Sequence, residues 1–262
     1  MADAVLYEKR GNVAYVTLNR PERMNALGHD VRQGLIDSFI QIRTDPEVRA
    51  AVVTGAGDRA FCAGADLKER AEQGLAVRRG GVDDIAALEQ TPNANPLIYE
   101  TYKPVIAAVN GYALAGGCEL ALTCDIRIAA ENAQFGLPEA RRGRGANLGT
   151  VLLQYLIPRG IALEMLFTGD PIDAQRALQL GLVNRVVPQA ELLDTAAALA
   201  ERIAANAPIS LRRIKELANK SLGTPVLFAL KMGPGPSPYE SEDSVEGARA
   251  FAEKRPPVWR GR

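Results

Sequence analysis

Short apolar segments that stop at glycine-containing turns recur along the first 188 residues, with helical segments between them. Residues 50–54 form an apolar run that ends at Gly55-Ala56-Gly57, and residues 104–109 form another that ends at Asn110-Gly111. Apolar runs bounded by such turns are typical of buried strands. Strands that alternate with helices predict an α/β architecture.

Local signals predict where the other elements of this part lie. Asp30 and Asp173 are suited to cap helices, and Gly181 is suited to the position just after a helix. Residues 70–95 mix glycine and proline with charges, which predicts a mobile helix-and-loop segment. The predicted strands are 12–18, 126–129 and 182–187, and the predicted helices are 31–43, 117–123 and 173–180.

The pattern changes after residue 188, where only helical periodicity remains. Helices are predicted over 189–206, 208–222 and 241–254, with a Pro/Gly cluster at 232–238 before the last. We therefore expect an α/β core with the active site over residues 1–188 and a helical region over residues 189–262.

Charge and hydropathy exclude several classes of protein. The 31 Lys and Arg residues balance the 31 Asp and Glu residues, so we expect no general nucleic-acid binding, which needs a basic face. No uncharged stretch approaches the ~20 residues of a membrane helix. The first ten residues lack the basic-then-apolar order of a secretory signal. We therefore expect a cytoplasmic protein with no membrane partner.

The chain is poor in metal-binding and nucleophilic side chains. His29 is the only histidine, so a site with two histidine ligands is impossible. Cys62, Cys118 and Cys124 form no CxxC pair, and three cysteines make no even disulfide framework. We expect no metal, and chemistry that runs on carboxylates, backbone amides, lysines or arginines.

Two segments rich in small residues follow predicted strands. Residues 60–67 contain Ala65, and residues 110–120 contain Gly116 at a predicted helix start. The first N–H groups of a helix have no internal partner and carry the positive end of its dipole. Ala65 and Gly116 could thus form an oxyanion hole from two loops. Close helix–strand packing through small residues explains the same pattern equally well.

Two glutamates lie in otherwise apolar segments. Glu119 is within the run 118–124, and Glu139 follows the apolar stretch 135–138. A carboxyl in a poorly solvated place has a raised pKa. The pair could share a cleft as acid and base. Spacing alone favours exposed or ion-paired glutamates.

Taken together, these segments and their neighbours resemble the enoyl-CoA hydratase (crotonase) family nearly from end to end. The resemblance implies a spiral of ββα units with a helical C-terminal trimerisation region. It also implies an acyl-coenzyme A thioester substrate and a homotrimer or homohexamer. The order and spacing of the motifs carry it, and the matching stretches are 18–27, 61–67, 110–125, 134–139, 168–173, 181–188 and 246–256.

The resemblance also implies a role for individual residues. Ala65 and Gly116 match the two oxyanion-hole amides, and Glu119 and Glu139 match the two glutamates of hydratases. Such enzymes need no cofactor, since coenzyme A is part of the substrate. Weaker matches to substrate-binding positions are Ala63, Asp66, Leu67, Gly145 and Lys254, of which Lys254 would serve an adjacent subunit.

The segment 140–150 departs from the hydratase pattern. Arg144 stands near the place of a proline, and Asn147-Leu148 interrupt the glycines, so matching Gly145 requires a gap. The arginines 141, 142 and 144 could bind a carboxylate on the acyl chain. We expect instead that they face solvent or a neighbouring subunit.

The motifs leave three functions open. Hydration of 2-enoyl-CoA is the expectation. Isomerisation of an enoyl-CoA and RNA binding by a catalytically silent relative are the alternatives.

Overall fold

The described residues form ten strands in two sheets, built from successive ββα units. The structure, a computed structural model, describes residues 3–72, 93–232 and 235–262. Residues 73–92, which hold most of the predicted mobile segment, lie outside the described residues. The strands in chain order are β1 Val5–Arg10, β2 Val13–Leu18, β3 Ala50–Gly55, β4 Ala60–Cys62, β5 Val105–Val109, β6 Tyr112–Leu114, β7 Ile126–Ala130, β8 Gln134–Gly136, β9 Ile172–Asp173 and β10 Arg185–Val187.

The helices of the described residues surround these sheets. A short 3-10 helix, Pro138–Arg142, follows β8. The α-helices in chain order are α1 His29–Thr44, α2 Leu67–Glu72, α3 Asn95–Glu100, α4 Gly116–Thr123, α5 Asn147–Leu156, α6 Arg159–Thr168, α7 Ala174–Gln179, α8 Leu192–Ala204, α9 Pro208–Lys220, α10 Val226–Ala229 and α11 Glu242–Glu253.

From β3 to β8, consecutive strands alternate between the two sheets. The larger sheet has the order β1-β2-β3-β5-β7-β10, and the smaller has the order β4-β6-β8-β9. The pairs β3/β4, β5/β6 and β7/β8 each give one strand to each sheet, and parallel pairing joins successive pairs. This arrangement confirms the predicted α/β spiral of ββα units.

The burial of two strands of the larger sheet explains why they could be predicted from apolar runs in the sequence. Every residue of β3 and of β5 is buried, because helices or the second sheet cover both faces. One apolar cluster lies between the sheets and α1, and a second lies between the larger sheet and α8. The α8 side of the second cluster consists of Leu192, Ala196, Ala200 and Ala204, spaced four apart on one helix face.

The first helix after residue 188 thus packs on the sheet of the preceding core. Arg49 in the core also donates to the carbonyls of Ala204 and Trp259, at 3.4 and 3.1 Å. Lys215 on α9 forms a buried ion pair with Asp125, at 2.8 Å. The division at residue 189 stays a prediction, and these contacts tie both parts together.

Two of the three predicted helix-end signals are confirmed, and one is wrong. Asp173 caps α7 by accepting a hydrogen bond from the backbone N–H of Arg176 at 2.7 Å. Gly181 follows α7 with φ +77°. Asp30 does not cap α1, because the helix begins at His29. Gly28 holds the cap position, and Asp30 lies inside the first turn.

The short strands and the helices α5 and α6 were not predicted from the sequence. Strands β4, β6, β8 and β9 have two or three residues each, too few to show a period of two. Helices α5 and α6 lie in the segment that departs from the family pattern and in the segment just after it. Within the described ranges, no helix is long and apolar enough to cross a membrane.

Candidate active site

The two predicted amide loops lie side by side at one edge of the smaller sheet. Parallel strands β4 and β6 pair directly, so the residues that follow them leave the sheet at the same edge. A Cβ on Gly64 would lie 2.7 Å from the Cβ of Ala115 and 3.1 Å from the backbone nitrogen of Gly116. Gly64 also has φ +87°, so both the lack of space for a Cβ and the backbone conformation require glycine at this position.

The amides of Ala65 and Gly116 are available to a ligand. Within the described part of the chain, no group accepts a hydrogen bond from either amide. Ala65 pairs with Leu27 in a parallel bridge, whose hydrogen bonds use its neighbours Gly64 and Asp66. Gly116 is the first residue of α4, so its N–H is at the positive end of that helix.

The turn into α4 is held in a strained conformation. Ala115 has φ +51°, a value unfavourable for a residue with a Cβ. Its N–H donates to the carbonyl of Gly136 at 2.9 Å, which fixes the turn against β8. A Cβ on Gly117 would overlap the carbonyl oxygen of Cys62, so α4 starts in direct contact with β4. Backbone strain at such a position is typical of functional sites.

Two buried asparagines hold the first amide loop from behind. Asn25 donates to the carbonyls of Ala56 and Ala60, at 3.0 and 2.7 Å, and accepts from the N–H of Arg20 at 2.9 Å. Asn110 donates to the carbonyl of Gly57 at 2.7 Å and to that of Ala60 at 3.3 Å. Both side chains therefore meet at the start of β4, just before the loop that carries Ala65.

The segment after β2 runs along the same loop. Leu27 donates from its N–H to the carbonyl of Gly64 at 2.7 Å, and Ala63 donates to the carbonyl of Met24 at 3.0 Å. A Cβ on Gly116 would lie 3.1 Å from Cδ1 of Leu27. Leu27 thus touches both amide loops, which gives a physical role to the matching stretch 18–27.

Glu119 projects from the first turn of α4 and is half-buried. Its Oε1 accepts a hydrogen bond from the backbone N–H of Gly149 at 2.9 Å. Burial raises the pKa of Glu119, whereas the amides of Gly149 and Leu148 and the charge of Arg32 oppose the rise. The result is an oriented carboxyl whose ionised form has dedicated partners.

Glu139 lies in the 3-10 helix Pro138–Arg142 and is also half-buried. Burial raises its pKa, and the negative charge of Glu119 raises it further. Its own amide and the exposed Arg144 and Arg142 oppose the rise. Of the described groups, none forms a hydrogen bond with its buried Oε2.

The electrostatics indicate that the two glutamates share one site. The charge of Glu119 acts on Glu139, and the charges of both act on the thiol of Cys118. Cys118 is fully buried, and desolvation is the main reason why its pKa rises to about 12. The thiol is therefore neutral at physiological pH and does not compete with the two carboxyls as a proton-transfer group.

Three groups in the site were not found from the sequence. The amides of Gly149 and Leu148 belong to α5, which was not predicted, and Arg32 belongs to α1. The sequence contained one indication that Arg32 belongs to the site, because it closely follows the matching stretch 18–27. It was not singled out, because an arginine on a helix is ordinarily solvated. Gly145, the glycine matched instead, is exposed in the loop before α5, and its proposed role stays a prediction.

The weaker candidates for substrate binding differ in how exposed their side chains are. Asp66 is buried, accepts from the N–H of Glu69 at 3.1 Å and lies 3.3 Å from Arg20, so its side chain faces the protein. Leu67 is exposed at the start of α2, and Ala63 is half-buried. Lys254 is exposed at the carboxyl end of α11. Substrate contacts for these residues remain predictions.

The three arginines after Glu139 differ in their surroundings. Arg141 donates from Nε to the carbonyl of Thr168 at 2.6 Å and forms an ion pair with Asp170. It thereby joins the 3-10 helix to the carboxyl end of α6. Arg142 and Arg144 are exposed. We expected all three arginines to face solvent or a neighbouring subunit, whereas Arg141, although exposed, bonds within its own chain. The selectivity of the loop stays a prediction.

Other side chains that could carry chemistry lie elsewhere or are blocked. His29 is exposed at the first position of α1. Cys62 and Cys124 are buried, and desolvation raises the pKa of each thiol to about 12. Over the residues 3–72, 93–232 and 235–262, no three His, Cys, Asp or Glu side chains are grouped to hold a metal ion.

Comparison with known proteins gives one consistent family. A model of the enoyl-CoA hydratase/isomerase family matches residues 8–262. The carnitinyl-CoA dehydratases of Citrobacter koseri and Salmonella agona are each 40% identical to this chain over 269 aligned residues, with 100% of both chains covered.

Solved structures agree with the sequence relatives. An enoyl-CoA hydratase from Mycobacterium tuberculosis superposes with a TM-score of 0.85 at 40% identity, covering 99% of this chain and 100% of that one. An enoyl-CoA hydratase/carnitine racemase from Magnetospirillum magneticum gives 0.86 at 33% identity, covering 100% and 97%.

The fold and these matches define an enzyme of the crotonase class. The chain belongs to the enoyl-CoA hydratase/isomerase family.

Proposed function

We propose that the protein adds water across the 2,3 double bond of 2-enoyl-CoA thioesters. The observation that carries the proposal is the pair Glu119 and Glu139, two half-buried carboxyls with raised pKa values beside the adjacent Ala65 and Gly116 loops. A carboxyl pair suits acid and base work, and two amides suit a thioester oxygen.

The amides would stabilise the charge that develops during addition. When water attacks Cβ, electrons of the double bond move toward the thioester carbonyl, whose oxygen becomes negative. The N–H groups of Ala65 and Gly116, which have no acceptor among the described residues, would donate to this oxygen from two adjacent loops. Preorganised donors stabilise such a charge without reorganisation. Binding of the remote coenzyme A portion orients the reacting end.

The carboxyls would divide the two proton transfers. We assign Glu119 as the base that accepts a proton from the attacking water, because two amide donors and Arg32 favour its ionised form. We assign Glu139 as the acid that delivers a proton to Cα, because burial and the charge of Glu119 raise its pKa. The C–O bond forms at Cβ, the C–H bond forms at Cα, and the double bond is lost. Transfer of a proton between the carboxyls restores the starting state.

Dehydration of a 3-hydroxyacyl-CoA is the same chemistry in reverse, so carnitinyl-CoA is a second candidate substrate. The observation that favours it is the 40% identity to carnitinyl-CoA dehydratases over the whole chain. Carnitine carries a quaternary ammonium group. The exposed Arg142 and Arg144 give the rim near Glu139 positive charge, which disfavours such a cation. We therefore rank plain 2-enoyl chains first.

The test is incubation of the protein with crotonyl-CoA, a longer 2-enoyl-CoA and carnitinyl-CoA. The enoyl absorbance should fall with the first two and change little with carnitinyl-CoA. Appearance of enoyl absorbance from carnitinyl-CoA, with no loss from crotonyl-CoA, would replace the first candidate by the second. A 3-enoyl-CoA tests isomerisation, and a salt-dependent RNA shift assay tests the non-catalytic alternative.

We further propose a homotrimer or homohexamer in which Lys254 contacts coenzyme A bound to an adjacent subunit. The exposed apolar side chains of the helical region, including Val226, Leu227 and Phe228, support assembly through that region. Light scattering should give a multiple of three chains. Lys254→Met should raise the KM for enoyl-CoA, because it removes a cation from the coenzyme A site. An active monomer would contradict this arrangement.

A further inference from the structure

Arg32 is bonded to the residue that lies between the two amide loops. It is half-buried on α1, and its Nε donates a hydrogen bond to the carbonyl of Leu27 at 3.1 Å. The backbone of Leu27 pairs with the Ala65 loop, and its side chain faces Gly116. A charged donor on this carbonyl therefore restrains the segment against which both amides are positioned.

The charge of Arg32 acts on two ionisable groups of the site. It opposes the rise that burial causes in the pKa of Glu119 and in that of the buried thiol of Cys62 at the end of β4. A guanidinium remains protonated at any physiological pH.

Several other groups face Glu119 from the elements packed around it. Gly149 and Leu148 on α5 present backbone amides, Glu139 presents a second carboxyl, and Cys118 is its neutral neighbour on α4. Among the charged groups with a resolved effect on Glu119, Arg32 is the cation that favours its ionised form.

We propose that Arg32 is a positioning residue of the active site, which fixes Leu27 between the two amide loops. This inference rests on the proposed role of the Ala65 and Gly116 amides in binding the thioester oxygen. Arg32 transfers no proton and touches no reacting atom, so it acts through Leu27, and the action of its charge on Glu119 is a second expected effect.

The test compares Arg32→Met, Arg32→Lys and the control Arg43→Met. Arg43 is exposed in the last turn of the same helix, so the control removes an equal charge far from the site. Arg32→Met should lower kcat by about 10-fold or more, because a charged group and its hydrogen bond are lost. The acid limb of the kcat profile should move to higher pH, since the ionised form of Glu119 loses a favourable charge.

Arg32→Lys should keep the acid limb in place, because it retains the charge, while kcat recovers only in part without the guanidinium geometry. Arg43→Met should resemble the parent protein in both. Thermal unfolding of all variants reports whether each one folds. An unchanged acid limb in folded Arg32→Met would overturn the electrostatic role, and unchanged kcat would overturn the positioning role.

A direct titration separates this inference from the proposed reaction. In protein labelled with ¹³C at glutamate carboxyls, the resonance missing from Glu119→Gln identifies Glu119. Its midpoint should rise by about 0.5 pH unit or more in Arg32→Met and not in Arg32→Lys. This result needs no turnover. A shifted midpoint in a protein that hydrates no substrate would reject hydration alone. An unshifted midpoint in an active hydratase would reject the electrostatic effect of Arg32, and unchanged kcat in folded Arg32→Met would reject its positioning role.

Discussion

The backbone N–H of Gly149 donates a 2.9 Å hydrogen bond to Oε1 of Glu119, across 30 positions of sequence. A Cβ on Gly149 would also come within 3.4 Å of Cγ of Glu119 and within 3.0 Å of the side chain of Leu137. The start of α5 is thus packed directly on the carboxyl. The direction of Glu119 is set by a helix that does not belong to its own ββα unit.

Replacement of either glutamate by glutamine should separate chemistry from folding. Glu119→Gln and Glu139→Gln keep the side-chain shape and remove a proton-transfer group, so kcat for crotonyl-CoA should fall by about 10²–10⁴-fold in each. Glu131→Gln, an exposed glutamate between them, is the matched control and should keep full activity. Near-normal turnover in either site variant would remove that residue from the mechanism.

Loss of the N–H at position 116 should abolish most of the activity. Proline at the first position of a helix is compatible with α4 but lacks the donor, so Gly116→Pro should lower kcat by about 10²–10³-fold. Gly116→Ala keeps the donor and places a methyl near the movable Cδ1 of Leu27, so its loss should be much smaller. Steady-state kinetics and circular dichroism on both variants check this. Equal losses in the two would point to steric room rather than to the N–H.

Asn25 should be essential for stability because its buried side chain bonds to three backbone groups, of which the carbonyl of Ala60 is buried. Asn25→Ala leaves two carbonyls and one N–H with poorer partners and places alanine at φ +53°, so the free energy of unfolding should fall by about 2–4 kcal/mol. Asn25→Asp keeps the acceptor but loses both donors and should also destabilise. Asn12→Ala, which removes an exposed amide, should change little. Urea unfolding measures all three, and a value for Asn25→Ala within the error of Asn12→Ala would contradict this role.

The carboxyl-terminal tail should loosen in acid. Both oxygens of Glu246 accept from Arg255, at 2.6 and 2.9 Å, and Oε1 also accepts from the N–H of Val258 at 2.8 Å. The Arg255 hydrogen bonds are the main reason why the pKa of Glu246 falls to about 2. Because the pKa is lowered in the folded state, the stabilisation is present above pH ~4.5 and is lost as the pH falls toward 2.

Trp259 gives a direct measurement of this change. It is the single tryptophan of the chain, and its Nε1 donates to the carbonyl of Ala205 at 2.8 Å. Its fluorescence should change between pH ~4.5 and 2 in the parent protein. Glu246→Gln should show the altered signal already at neutral pH. Glu253→Gln removes a second partner of Arg255 that does not contact the tail backbone, and it should behave like the parent. A transition that is identical in Glu246→Gln would show that another group controls the tail.

The sequence by itself determined the class of fold and gave candidate positions for the chemistry. Residues 50–53 and 105–109 are apolar throughout because both faces of their strands are covered, so the burial of these strands is visible in the sequence. The cap at Asp173 and the left-handed Gly181 were predictable for a related reason: each depends on bonds to residues within a few positions.

Only the tertiary structure decided how the site is assembled. Strands β4, β6 and β8 are too short to carry a pattern, and their pairing is what brings Ala65 beside Gly116. The bond from Gly149 to Glu119 and the effect of Arg32 on that carboxyl join residues 30 and 87 positions apart. Local composition does not encode such contacts, because they arise from where whole helices pack, and packing is fixed by the combined burial of the two sheets and the helices around them.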